Sequence, residues 1–78
     1  MSEEIKLSLD TIGLFCPEPL FQTRNKLDEL DIGDILEVWA DDPASEEDLK
    51  RFCKRTGHEL VSFEKVDNQF HFLIRKTK

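Results

Sequence analysis

Two cysteines, three glycines and three prolines are few for a chain of 78 residues, and each shortage narrows what this protein can be. Cys16 and Cys53 stand far apart and form no Cys-x-x-Cys pair, so they are neither the disulfide framework of a small secreted domain nor half of a zinc site. No apolar run is long enough for a membrane helix. Met1-Ser2-Glu3-Glu4 has no basic start and no apolar stretch, so no secretory or transit signal is expected. Positive charge is short as well. Eleven Lys and Arg face seventeen Asp and Glu, a net charge of -6 that repels phosphate backbones and anionic membrane surfaces. Neither nucleic acid nor a membrane is expected as a direct partner, and the compartment reads as reducing and cytoplasmic.

Linkers, repeats and low-complexity segments are missing too. A single domain over residues 1–78 is expected, with one modest core, because a domain this small hides only roughly 60% of its unfolded surface.

Local pattern supplies the elements. Ile5, Leu7 and Leu9 alternate with Lys6, Ser8 and Asp10, the period of a strand with one buried face. Leu20, Thr23, Leu27 and Leu30 form a helical stripe, which predicts a helix over 17–30. Residues 35–40 are rich in β-formers and nearly all apolar, as in a central strand. After the loop Asp41-Asp42-Pro43-Ala44, Ser45 reads as the N-cap of a second helix whose first turn holds Glu46, Glu47 and Asp48. Leu49, Phe52, Cys53 and Thr56 share its apolar face, and Gly57 suits a left-handed C-terminus. Residues 59–66 and 69–75 read as strands of a hairpin turning at Asp67-Asn68. The order β-α-β-α-β-β, with a right-handed first crossover, predicts an α/β two-layer sandwich. Its four-stranded mixed sheet carries both helices on one face.

Reactive groups in open α/β sheets gather beyond the carboxyl ends of parallel strands. Two loops qualify: Gly13-Leu14-Phe15-Cys16-Pro17-Glu18-Pro19 after the first strand, and Asp41-Asp42-Pro43 after the second. Cys16 and the two aspartates are therefore expected as neighbours. With Pro17 at the first helical position, Cys16 falls at the N-cap, where the positive end of the helix dipole lowers a thiol's pKa. Pro17 and Pro19 remove backbone donors, while Glu18, Asp41 and Asp42 add opposing negative charge, so only moderate activation is expected. On the residues alone, Cys16 reads equally as a small buried hydrophobe and as a reactive thiol.

The remaining candidates read as structure. Cys53 lies on an apolar helix face and is expected as an inert core thiol, out of reach of Cys16. His58 and His71 do not join the predicted edge, so no Cys-His pair is expected. No paired metal-ligand motif is present, and no metal or cofactor is expected. Trp39 and the six phenylalanines are assigned to sheet and core. Lys50, Arg51, Lys54 and Arg55 complement a helix dipole rather than form a binding patch.

One family matches these motifs over essentially the whole chain. Leu9-Asp10, Gly13-Leu14, Cys16-Pro17-Glu18-Pro19, Asp41-Asp42-Pro43-Ala44, Phe52-Cys53, His58-Glu59-Leu60 and Leu73-Ile74-Arg75-Lys76 resemble the TusA/SirA-like sulfur carriers. The resemblance implies the same fold order and a sulfurtransferase-type carrier that holds sulfane sulfur as a persulfide on Cys16. It further implies a donor such as a cysteine desulfurase or rhodanese-like protein, and an acceptor protein. In relatives the sulfur serves transfer-RNA thiolation, sulfur oxidation, thiosulfate use or molybdenum-cofactor supply. Pro17 and Pro19 would shape the thiol loop, and Asp41 and Asp42 match an acidic loop that serves either helix capping or docking. A regulatory or adaptor module that needs no sulfur is the alternative reading.

Overall fold

The structure, a computed structural model, describes residues 4–78; residues 1–3, where no leader is expected, lie outside the described part. The elements run β1 (Ile5–Asp10), α1 (Glu18–Asp28), β2 (Ile35–Ala40), α2 (Ser45–Thr56), β3 (Glu59–Val66) and β4 (Gln69–Arg75). The strands form one sheet in the order β1-β2-β4-β3. β1 and β2 are parallel, and the other two pairings are antiparallel. The expected two-layer α/β sandwich is the observed one.

Burial explains why these segments hold their places. β2 and β4 occupy the middle of the sheet, where Leu36, Val38, Ala40, Phe72 and Ile74 are fully buried. Leu27 of α1 and Leu49, Phe52 and Cys53 of α2 join them in one core cluster, so both helices cover the same face. Each large apolar side chain buried this way contributes about 1.5–3 kcal/mol. The other face carries a polar chain: Ser8 Oγ donates to Glu37 Oε1 at 2.7 Å, and Glu37 Oε2 lies 2.7 Å from His71 Nε2. Gly57 ends α2 at φ 88, its N–H donating to the Cys53 carbonyl. Asp67 opens the hairpin turn at φ 56.

Four expectations need correction. β1 alternates, but only Leu9 is buried, whereas Ile5 and Leu7 are exposed, because β1 is an edge strand and core contact is limited to its C-terminal end. α1 runs Glu18–Asp28 rather than over 17–30; Leu30 is nevertheless buried, held by a turn in which its N–H donates to the Leu27 carbonyl. The N-cap of α2 is Ala44, not Ser45, since Asp42 supplies the capping contacts: its carbonyl accepts the Ser45 N–H and its Oδ1 the Ala44 N–H. Lastly, Phe15 and Phe21 are exposed, and Trp39 lies tilted against His71, ring centroids 4.2 Å apart, on the open sheet face. Phe52, Phe70 and Phe72 are core, and Phe63 packs against it partly buried.

Candidate functional site

Asp10 pairs with Trp39 in the parallel register, so β1 and β2 end level and their following loops leave from the same sheet edge. Thr11, fully buried, fixes the first loop there: its N–H and its Oγ1 both donate to the Trp39 carbonyl, at 2.8 and 2.6 Å. Asp10 Oδ1 accepts the Ile12 N–H. The Leu14 N–H donates to the Thr11 carbonyl, closing a turn in which Gly13 sits at φ 88, a left-handed conformation that glycine adopts at little cost. A second turn, Glu18 N–H to Phe15 carbonyl at 2.8 Å, carries the chain over Cys16 into α1.

The two loops are tied by carboxylates. Asp41 Oδ1 accepts the Gly13 N–H at 3.0 Å, and Asp42 Oδ2 accepts the Cys16 N–H at 2.6 Å. The expectation that Cys16 and the aspartates are neighbours is met. Each aspartate bonds the backbone of the thiol loop, and Asp42 caps α2 as well.

Cys16 is exposed, and its Sγ donates to Asp48 Oδ2 at 2.8 Å. This contact reverses the expected activation of the thiol. The N-cap of α1 is Pro17 and Pro19 lies in its first turn, so Cys16 stands one residue before the cap rather than at it. The Asp48 carboxylate accepts the thiol proton, and the negative charge of Asp48 and Asp42 opposes an anion on sulfur. Together with some desolvation, they raise the Cys16 pKa above its ordinary value. The free protein presents a neutral, accessible thiol.

Asp48 is the residue that sequence reasoning missed. Its acidic neighbours Glu46 and Glu47 gave it the look of ordinary charge at a helix start, although α2 begins at the edge where Cys16 lies. Glu18, which follows Pro17, is the acidic residue of α1's first turn. The basic cluster is largely spoken for: Lys50 pairs with Glu46 at 2.8 Å, and Arg51 lies 3.8 Å from Asp48. Arg55, however, lines a groove of about 380 Å³ between the helices with Leu20, Phe21 and Arg24.

The other titratable candidates sit apart from the thiol. Cys53 is buried, and desolvation pushes its pKa up to about 11. His58 Nδ1 accepts the Thr77 N–H, while His71 pairs with Glu37. Among the described residues no group of three His, Cys, Asp or Glu is arranged to hold a metal. No helix among them is long and apolar enough to cross a membrane.

Comparison with known proteins places this architecture. A protein of Archaeoglobus fulgidus, provisionally named a sulfur carrier protein, is 45% identical over 71 residues, covering 90% of this chain and 92% of that one. The sulfur carrier protein TusA of Pseudomonas syringae pv. syringae is 41% identical over 81 residues, covering 97% of this chain and 96% of that one. The crystal structure of a SirA-like protein from Desulfitobacterium hafniense superposes with a TM-score of 0.79 at 23% identity, over 92% of this chain and 99% of that one. It shares the fold. The family model described as Sulfurtransferase TusA matches residues 7–76, nearly the full length, and the chain belongs to the TusA family.

Proposed function

We propose that this protein is a sulfur carrier that holds sulfane sulfur as a persulfide on Cys16, receiving it from a donor protein and relaying it to an acceptor protein. The observation that carries the reading is the placement of Cys16: an exposed thiol on a braced loop, at the edge where two β-α units open, while Cys53 is buried. The names of the relatives, sulfur carrier proteins, support the same role.

In the exchange, Cys16 Sγ bonds to the terminal sulfur of a donor persulfide R–S–S–H. The donor S–S bond breaks, its electron pair leaves on the inner sulfur, and the products are Cys16–S–S–H and R–SH. One sulfane sulfur moves with no net redox change. A carrier of this kind needs access and docking more than a catalytic histidine, and both histidines are engaged elsewhere. Protein partners with reactive thiols, in a reducing and cytoplasmic compartment, suit such a relay.

Incubation with a cysteine desulfurase and sulfur-labelled cysteine tests this. Wild type should gain one reducible sulfur on Cys16, and Cys16→Ser none. Label retained by Cys16→Ser, or found on Cys53, refutes the assignment. Partner binding that is unaffected by Cys16→Ser, with no persulfide on protein isolated from cells, would instead mark an adaptor.

A further inference from the structure

We infer that Asp48 is the proton acceptor for Cys16 during sulfur transfer, an inference that rests on the reading of Cys16 as the persulfide site. Three aspartates meet at this edge, and their contacts divide the work. Asp41 Oδ1 accepts the Gly13 N–H, and the two carboxylate oxygens of Asp42 accept the Cys16 and Ala44 N–H groups. Of the three, Asp48 is the one that bonds the sulfur itself, at 2.8 Å, within the reach that proton transfer requires. Its side chain is 22% exposed, and its Oδ1 lies 3.8 Å from the Arg51 guanidinium. One oxygen thus faces the thiol while the other lies toward a cation.

The charged groups around the pair are Asp41 and Asp42 on the β2–α2 loop, Arg51 farther along α2, and Glu18 at the start of α1. Negative charge dominates, so a free thiolate is disfavoured there. The transfer therefore starts from the neutral thiol. As Sγ bonds to the terminal sulfur of R–S–S–H, its proton moves to the Asp48 carboxylate. The donor's inner sulfur leaves as R–S⁻ and takes that proton, giving R–SH and restoring the Asp48 carboxylate. Atoms and charge balance, and no external base is consumed.

Asp48 then has two opposing effects. In the resting carrier it keeps the thiol protonated and slow to react with alkylating agents, which attack the thiolate. During transfer it removes the proton. Replacing it with a neutral isostere should push the two reactions in opposite directions, which a merely structural or repulsive aspartate would not do.

The test compares wild type, Asp48→Asn, Asp48→Glu and Cys16→Ser, after thermal unfolding has confirmed folded protein in each. Iodoacetamide alkylation of Cys16 is followed against pH, and single-turnover loading is followed with cysteine persulfide as the donor. Asp48→Asn should alkylate at lower pH than wild type yet load about a hundredfold more slowly at neutral pH, the low side of what a positioned proton acceptor supplies. Asp48→Glu should recover part of the loading. If Asp48→Asn loads on Cys16 as fast as wild type, the role of Asp48 is overturned while the carrier reading stands. If Cys16→Ser also gains sulfur, or wild type gains none, the carrier reading falls first and this inference with it.

Discussion

The backbone N–H of Cys16 donates to Asp42 Oδ2 across 2.6 Å, so the thiol of the first β-α unit is held by the loop of the second. Asp42 also caps α2 through its carbonyl and Oδ1. One side chain therefore fixes both the position of the sulfur and the start of the helix that presents Asp48.

Asp42→Ala removes a charge-assisted acceptor and should cost about 1–2 kcal/mol of stability. It should also slow sulfur loading, since the loop that aims Sγ loses its brace. Asp42→Asn keeps a neutral acceptor and should fall between the two. Urea unfolding and single-turnover loading check both effects; wild-type behaviour of Asp42→Ala in both would show that the bond positions nothing.

The two thiols should differ sharply in the native protein. Cys16 is exposed and Cys53 buried, and burial pushes the Cys53 pKa up to about 11, so at mildly alkaline pH iodoacetamide should label Cys16 alone, with Cys53 reacting only after denaturation. Cys53→Ala should cost about 1 kcal/mol as a small core truncation, and sulfur loading should be unchanged. Mass mapping of the labelled chain decides it; native labelling of Cys53 would mean that α2 opens readily.

How far these features could be read from the residues depends on their range. Strand β2 followed from its nearly all-apolar, β-forming composition and the β3–β4 hairpin from the turn chemistry of Asp67-Asn68, which are local. The burial of β1 did not, because Ile5 and Leu7 look like core residues until the sheet order puts them on an edge. Phe15 and Phe21 misled in the same way: an apolar residue in a loop or lining an open groove between helices has no local mark of exposure. The position of Cys16 relative to the cap was off by one residue, since adjacent prolines blur where helical backbone begins. The contact with Asp48 joins residues 32 apart, a distance that only the β-α-β-α topology spans. The usable sign was that α2's first turn must lie at the same edge as the thiol.

The aromatic residues provide a test of that distinction. Phe72 is fully buried between the central strands and the helices, and Phe15 is 76% exposed. Phe72→Ala should cost about 3–5 kcal/mol, a large share of the roughly 5–15 kcal/mol that holds a small domain together. Phe15→Ala should stay within about 0.5 kcal/mol of wild type. Denaturant midpoints measure both, and a comparable loss from Phe15→Ala would place that ring in the core after all.

The stability that His58 contributes should fall on mild acidification. Burial, then the nearby Lys76, lower its pKa from 6.5, and its Nδ1 accepts the Thr77 N–H at 3.2 Å, a bond the protonated ring cannot accept. A group whose folded pKa is depressed contributes stability above its unfolded value and loses it as pH falls through the folded one. Glu37 is depressed as well, through the Ser8 hydroxyl and then His71, but it starts from 4.5 and acts in a more acidic window. The thermal midpoint should therefore decline as pH drops below about 6.5, and His58→Gln, which does not titrate, should flatten that decline while leaving the steeper loss at lower pH. An unchanged slope in His58→Gln would assign the transition to another group.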